Sequence, residues 1–71
     1  MNKELKGEII RKYGAQFPFA AALGIREATV SAVIRGHHVL DDVSKRRWAE
    51  ALGIEDYKRL FKGAGNDSQE A

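Results

Sequence analysis

Apolar residues recur every three or four positions from Leu5 to Phe61, which is the spacing of amphipathic helices. Asn2 is a suitable N-cap for a first helix, and Gly14 is a suitable residue to end it. The apolar face of this helix consists of Leu5, Ile9, Ile10 and Tyr13. The pattern therefore predicts an amphipathic helix between Asn2 and Gly14.

The stretch from 16 to 36 predicts two short helices that meet at a tight corner. Phe19, Ala20 and Leu23 share one face of the first of them. Gly24 can adopt the left-handed conformation that ends a helix, so the chain can turn there. Ile25 is then expected to fill the corner with an apolar side chain. A short corner that contains glycine is typical of two helices packed at a steep angle.

The second helix of this pair is predicted to run from near Glu27 to Arg35, with Gly36 closing it. Its apolar positions are Val30, Val33 and Ile34. The other positions form a surface of small or polar side chains with a cation at each end. That surface consists of Arg26, Glu27, Ala28, Thr29, Ser31, Ala32 and Arg35. Taken alone, it fits either an ordinary solvated surface or a helix that enters the major groove of DNA, which is about 12 Å wide.

Two further helices are predicted downstream. The fourth is capped by Asp41 or Ser44 and runs to about Leu52, and the fifth spans residues 55–61. The expected buried residues of this half are Leu40, Ser44, Trp48, Ala51 and Leu52, with Val39 from the loop and with Tyr57, Leu60 and Phe61 from the last helix. Residues 63–71 have no large apolar residue and no periodicity, which predicts a disordered tail after a single domain of residues 1–62.

Composition narrows the class of protein. The chain has 71 residues, 44% of them hydrophobic, which suits one small domain. It contains no cysteine, so a disulfide framework and a thiolate metal site are excluded. Residues 1–62 contain all 12 Lys and Arg residues but only eight of the ten Asp and Glu residues, so their net charge is +4. This positive charge is compatible with a nucleic-acid partner. With no leader and no membrane-length apolar run, a cytoplasmic protein is expected, associated with the nucleoid when bound to DNA.

A set of residues at fixed spacing resembles the helix-turn-helix of the Cro and phage-repressor family, over roughly residues 5–61. The residues that match are Gln16, Phe19, Ala20, Leu23, Gly24, Ile25, Val30, Ser31, Ile34 and Gly36, followed by Trp48 to Ile54 in the fourth helix. The resemblance implies an all-α fold, a compact bundle of five short helices of the lambda repressor-like type. It implies a sequence-specific regulator of transcription that binds double-stranded DNA, with residues 27–35 as the recognition helix and a homodimer formed through the fifth helix.

The resemblance also assigns DNA contacts to particular positions. These are Gln16, Arg26, Glu27, Ala28, Thr29, Ser31, Ala32, Arg35, His37, His38 and Lys45. Gln16 is expected to donate to a phosphate and to brace the first residue of the recognition helix. Lys45 is expected to be the phosphate contact of the Lys45–Arg47 cation run, because it lies nearest the preceding loop. Base reading by Glu27, Ala28 and Ala32 is expected to be limited, since alanine offers only a methyl contact.

Several alternatives remain open at this level. Glu27 can instead stabilise its own helix start, and the exposed side of the first helix is either solvated or a phosphate contact through Arg11 and Lys12. Phe17 stands where the family usually has a polar residue, and it either packs on the first helix or lies exposed. Trp48 is expected in the core.

Other classes of function fit less well. An antitoxin-like module that binds a protein partner through the fifth helix and the basic first helix is the main alternative. No enzyme is expected, because the chain offers no cysteine nucleophile, no glycine-rich phosphate loop and no length for a substrate cavity. The adjacent His37 and His38 lack further His or Cys partners, so no metal is expected, and neither a cofactor nor a small-molecule ligand is predicted.

Overall fold

The computed structural model describes residues 1–61, which form helices and connecting loops without a strand. The helices are α1 (Lys3–Tyr13), α2 (Gln16–Leu23), α3 (Glu27–Arg35) and α4 (Asp42–Ala51). A short α5 follows at residues 57–61. The predicted all-α class and order of five helices are confirmed. The predicted tail, residues 63–71, lies outside the described residues.

Glycines end the first three helices. Gly24 and Gly36 lie in the left-handed region, with φ values of 72° and 86°, where side chains with a Cβ are disfavoured. Their N–H groups donate back to carbonyls near the ends of α2 and α3. Gly14 ends α1 in the same way. These three ends are where the sequence places them, because glycine is the residue that a left-handed helix end favours.

The core lies between all five helices and is organised around aromatic rings. Phe19 of α2 is fully buried, and its ring meets those of Tyr13 and Trp48 edge-on at centroid distances of 5.2 Å each. Trp48 in turn contacts Phe61 of α5 at 6.3 Å. The remaining buried apolar residues are Leu5, Ile9, Ala20, Val30, Val33, Ile34, Ala49, Leu52 and Leu60. Edge-to-face pairs of this kind each contribute about 0.5–1.5 kcal/mol beyond the area they bury.

Asn2 ties the start of α1 to two other helices. Its side-chain oxygen accepts from the Leu5 N–H at 3.0 Å, which is the predicted N-cap. Its amide nitrogen donates to the Leu60 carbonyl at 2.7 Å, and its backbone N–H donates to the Ile34 carbonyl at 2.7 Å. Because Asn2 is only 8% exposed, all of these groups need protein partners, and they have them.

Two apolar positions were expected in the core but lie at the surface. Ile10 is 41% exposed, because α1 buries a narrow stripe of Leu5 and Ile9, and Ile10 lies about 100° further round the helix. Val39 is 70% exposed, while its neighbour Leu40 packs against the core, so the α3–α4 loop directs only one of the two side chains inward. Phe17, which the sequence left undecided, is 64% exposed.

The cap of α4 is also settled by the structure. The Asp41 carboxylate accepts from the Ser44 N–H at 2.9 Å, so Asp41 is the N-cap and Ser44 provides the capped amide. This hydrogen bond to the charged form holds the pKa of Asp41 below its usual value.

No single helix within residues 1–61 is both long and apolar enough to cross a membrane; α2 and α3 reach that length and apolarity only as a pair bent by 113°.

Candidate nucleic-acid interface

The α2–α3 pair projects α3 outward from the bundle. The two helix axes differ by 113°, and only three residues, Gly24, Ile25 and Arg26, connect them. Ile25 packs against the core, and its N–H donates to the Ala20 carbonyl at 3.0 Å, which closes the corner. The short connection and the buried plug therefore hold α3 at a fixed angle to α2.

Only one side of α3 is used by the core. Val30, Val33 and Ile34 are at most 2% exposed. The other side carries the side chains that we call the α3 ridge, namely Arg26, Glu27, Ala28, Thr29, Ser31, Ala32 and Arg35, all of them exposed or half-buried. The ridge side chains are therefore available to a partner, as the sequence predicts, and most of them are short.

Gln16 braces the middle of α3. The hydroxyl of Ser31 donates to the side-chain oxygen of Gln16 at 2.8 Å. The resemblance implied a contact with the first residue of α3, so this expectation is corrected: Gln16 reaches Ser31, one helical turn later. With its oxygen occupied by Ser31, the amide nitrogen of Gln16 remains the group with which Gln16 can donate to a ligand.

The N-termini of α2 and α3 differ from those of α1 and α4. Asn2 and Asp41 cap α1 and α4 through their side chains, whereas α2 and α3 follow Ala15 and Arg26 without a side-chain cap. The first N–H groups of an uncapped helix need water or a ligand as acceptor, and they favour anions. Glu27, the first residue of α3, has a charge that suits this end of the helix dipole.

The three consecutive cations of α4 point in three directions. The ammonium of Lys45 lies over the Phe61 ring, 5.9 Å from its centroid, and the Arg46 guanidinium lies 5.3 Å from the centroid of Tyr57. Arg47 instead lines a cleft between α3 and α4, together with Thr29 and His38. Lys45, the predicted phosphate contact, is thus directed towards α5, because it lies about 200° round α4 from Arg47.

Arg47 is the residue that sequence reasoning missed at this surface. The signal was present in the spacing: Arg47 follows Ser44 by three positions, so the two share the side of α4 that continues from the α3–α4 loop. Proximity to that loop in sequence favoured Lys45, but helical phase decides which cation faces α3.

The residues after α3 are open to a partner. Arg35, His37 and His38 are all exposed, and the His37 N–H donates to the Ala32 carbonyl at 2.8 Å, which fixes the loop to the end of α3. Within residues 1–61, no group of three or more potential ligands is placed to hold a metal ion.

Two of the four cations of α1 have contacts within the protein. Arg11 pairs with Glu8, and Arg59 of α5 pairs with Glu4 at 2.6 Å. The ammonium of Lys12 lies beside Gly53, just past the C-terminal end of α4, where a positive charge suits the helix dipole. The two cations named as possible phosphate contacts, Arg11 and Lys12, therefore have partners within the protein, which favours a solvated surface there. Lys3 and Lys6, in contrast, are exposed and form no ion pair among residues 1–61.

A second concave surface lies on the far side of α4. A groove of about 460 Å³ is lined by Arg46, Ala49, Glu50, Gly53, Ile54, Glu55 and Tyr57. Leu60 and Phe61 of α5 are buried in the core of the same chain. Any contact that another chain makes with this part of the molecule therefore involves the groove and Tyr57 more than Leu60 and Phe61.

The fold and the site define an all-α domain with one steeply inclined helix whose outer side is left free. The chain belongs to the family described as "Protein of unknown function (DUF739)", whose model matches residues 2–58. The match thus includes α1 to α4, with the α3 ridge, and the first residues of α5. Comparisons with curated proteins and with solved structures gave no match.

Proposed function

We propose that this protein is a transcriptional regulator that binds double-stranded DNA in a sequence-dependent way, with α3 in the major groove, as in Cro-like and phage-repressor proteins. The observation that carries the proposal is the arrangement of α3. One side of the helix is anchored by Val30, Val33 and Ile34, and the other presents the α3 ridge at 113° to the supporting helix. That angle and a three-residue connection are typical of the helix-turn-helix.

The shape of the α3 ridge supports insertion into DNA. Ala28 and Ala32 lie near its centre, and the longer side chains of Arg26 and Arg35 stand at its two ends. A helix fits the major groove when its central side chains do not hold it away from the base edges. A ridge with a small centre and cationic ends allows this approach and places positive charge near the phosphates.

Phosphate contacts are available around the ridge. Gln16 can donate through its amide nitrogen, and as the first residue of α2 it lies next to the uncapped N–H groups of that helix. Arg35, His37 and His38 form a second group at the other end of α3. Contacts of this kind set the position and orientation of a protein on the duplex without reading sequence.

Sequence discrimination is expected to rest on few direct contacts. Glu27 can accept from a cytosine amino group, while Ala28 and Ala32 can contact only thymine methyl groups. The shape of the DNA and the spacing of two half-sites are expected to supply the rest. Two copies related by a two-fold axis would bind half-sites about one helical turn apart; the Tyr57 side of the groove beside α5 is a surface through which they can associate.

The test is a selection of bound sequences from a random duplex pool, followed by fluorescence anisotropy over a salt titration. Arg35→Ala is expected to weaken binding to all duplexes and to lower the salt slope by about one. Thr29→Ala is expected to weaken binding more modestly. Lys58→Ala is the matched control, because Lys58 is an exposed cation on α5. Equal salt slopes for the wild type, Arg35→Ala and Lys58→Ala would contradict the proposal, as would a selection that enriches no sequence.

An antitoxin-like interaction module is the second candidate. The observation that favours it is the groove beside α5, which combines apolar Ala49, Ile54 and Tyr57 with both signs of charge. Two cations of α1, Lys3 and Lys6, are exposed and form no ion pair among residues 1–61, so the basic first helix remains part of this candidate interface. Co-purification with the products of neighbouring genes tests this candidate. A partner that is lost on Ile54→Asp but kept on Ala28→Asp would favour it. Duplex binding that is lost on Ala28→Asp but kept on Ile54→Asp would favour the regulator.

A further inference from the structure

We infer that the cleft between α3 and α4 binds one phosphate of the DNA backbone, with Arg47 as its principal charge. This inference rests on the proposed function and adds to it a binding site that sequence reasoning did not assign. The polar side chains of the cleft come from three separate segments: Thr29 from α3, His38 from the α3–α4 loop, and Ser44 and Arg47 from α4.

The cleft lies on the opposite flank of α3 from Gln16. Thr29 and Ser31 are two residues apart, so their side chains lie about 200° apart around the helix. Ser31 bonds to Gln16 on the α2 side, whereas Thr29 lines the cleft on the α4 side. A helix in the major groove has a sugar–phosphate backbone on each side. Gln16 accounts for one of these backbones, and the cleft is placed for the other.

The chemistry of the cleft suits a phosphate. Its volume is about 190 Å³, and the polar groups that line it are two hydroxyls, an imidazole and a guanidinium. None of the described residues that line it is acidic. The apolar part of its wall includes Leu23, Ile25 and Trp48, and low-polarity surroundings strengthen a charge-assisted hydrogen bond. A guanidinium matches phosphate oxygens with two parallel hydrogen bonds.

Arg47 is distinguished from its two neighbours by its contacts. Lys45 and Arg46 lie over aromatic rings on the other sides of α4. Arg47 is exposed and pairs with no acidic residue among residues 1–61. The three cations carry the same charge on the same helix, so a long-range electrostatic effect on DNA would be nearly equal for all of them, whereas a direct phosphate contact would single out Arg47.

The experiment compares Lys45→Ala and Arg47→Ala in duplex binding over a salt titration, with Lys58→Ala, at an exposed cation of α5, as the control. The folded fraction of each variant is determined by urea unfolding. Arg47→Ala is expected to lower affinity about tenfold, the equivalent of one charge-assisted hydrogen bond, and to reduce the salt slope by about one. The loss should be the same for selected and unrelated duplexes, because a phosphate carries no sequence information. Lys45→Ala and Lys58→Ala are expected to retain most of the affinity.

The inference is overturned if the three alanine variants bind equally well, or if Arg47→Ala changes sequence preference without changing the salt slope. Should Arg47→Ala be poorly folded, Arg47→Lys and Arg47→Gln provide the same comparison. Arg47→Lys should keep the wild-type salt slope, whereas Arg47→Gln should lower it by about one. A wild-type protein that binds no duplex contradicts the proposed function itself. A wild type that binds, with Arg47 no different from its neighbours, contradicts only the inference.

Discussion

The hydroxyl of Ser31 donates to the side-chain oxygen of Gln16 at 2.8 Å, and this bond joins the first residue of α2 to the middle of α3. Both residues are half-buried, so the bond is partly protected from water. Together with the short corner around Ile25, it holds α3 in place against α2, and it also orients the Gln16 amide nitrogen.

A double-mutant cycle should reveal this bond. Gln16→Ala and Ser31→Ala are each expected to lower the free energy of unfolding, and the double variant should cost less than their sum by about 0.5–1.5 kcal/mol. Urea unfolding followed by Trp48 fluorescence gives the three values. Additive effects within error would show that the bond does not contribute to stability. Ala22→Ser, a substitution at an exposed position of α2, controls for changes in that helix itself.

Asn2→Asp should destabilise the fold although aspartate is an equally good N-cap. The substitution retains the acceptor for the Leu5 N–H but replaces the donor to Leu60 with a carboxylate oxygen facing a carbonyl. We expect a loss of about 1–3 kcal/mol, the cost of a buried group left without its partner. Asp41→Asn is the matched control: it exchanges the same two residue types at an exposed cap and should change stability little at neutral pH. Equal effects of the two substitutions would contradict the role of Leu60.

Ala15→Asp should stabilise the protein and weaken its binding to DNA. Ala15 has the extended backbone conformation of an N-cap, with φ −166° and ψ 170°, but no side chain to cap α2. A carboxylate there can accept from the free N–H groups and is expected to add about 0.5–2 kcal/mol to the free energy of unfolding. It would also occupy and neutralise the end of α2 that is proposed to face a phosphate. Thermal unfolding and anisotropy measure the two effects; a variant that gains stability without losing affinity would show that α2 does not contact the duplex.

The Asp41 cap predicts a particular pH dependence. Its hydrogen bond from Ser44 holds the pKa of the folded state below the usual value of 3.8. The stabilisation is therefore present above that value and is lost as the pH falls through the lower pKa of the folded state. Asp41→Asn caps the helix without titrating, so the wild type should lose stability relative to this variant in acid. Urea midpoints measured from about pH 6 down to about pH 2 test this, and parallel profiles would contradict it.

The helices and the ridge could be predicted from the sequence because both depend on local signals. The ends of α2 and α3 need a residue in the left-handed conformation, and Gly24 and Gly36 mark those positions in the sequence. Because the apolar positions of α3 face the core, the remaining positions of that helix form the ridge. The exposure of Ile10 could not be predicted in this way, since periodicity identifies the apolar side of a helix but not how much of it a neighbour covers.

The features of this surface that the sequence did not indicate depend on packing between helices. Whether Lys45 or Arg47 faces α3 is decided by the rotation of α4 in the bundle, which the rings of Trp48 and Phe61 help to set. The partner of Gln16 likewise depends on where α2 crosses α3, so Ser31 could be identified only from the three-dimensional arrangement.

The attachment of Asn2 beneath the C-terminal end of α3 has a practical consequence for work with this protein. Since the Asn2 N–H is bonded to the Ile34 carbonyl, residues fused ahead of Met1 would leave the fold close to the C-terminal end of α3. A polyhistidine tag in that position would add imidazole donors next to the α3 ridge, and these become positively charged below about pH 6.5. Binding assays should therefore use protein from which such a tag has been removed.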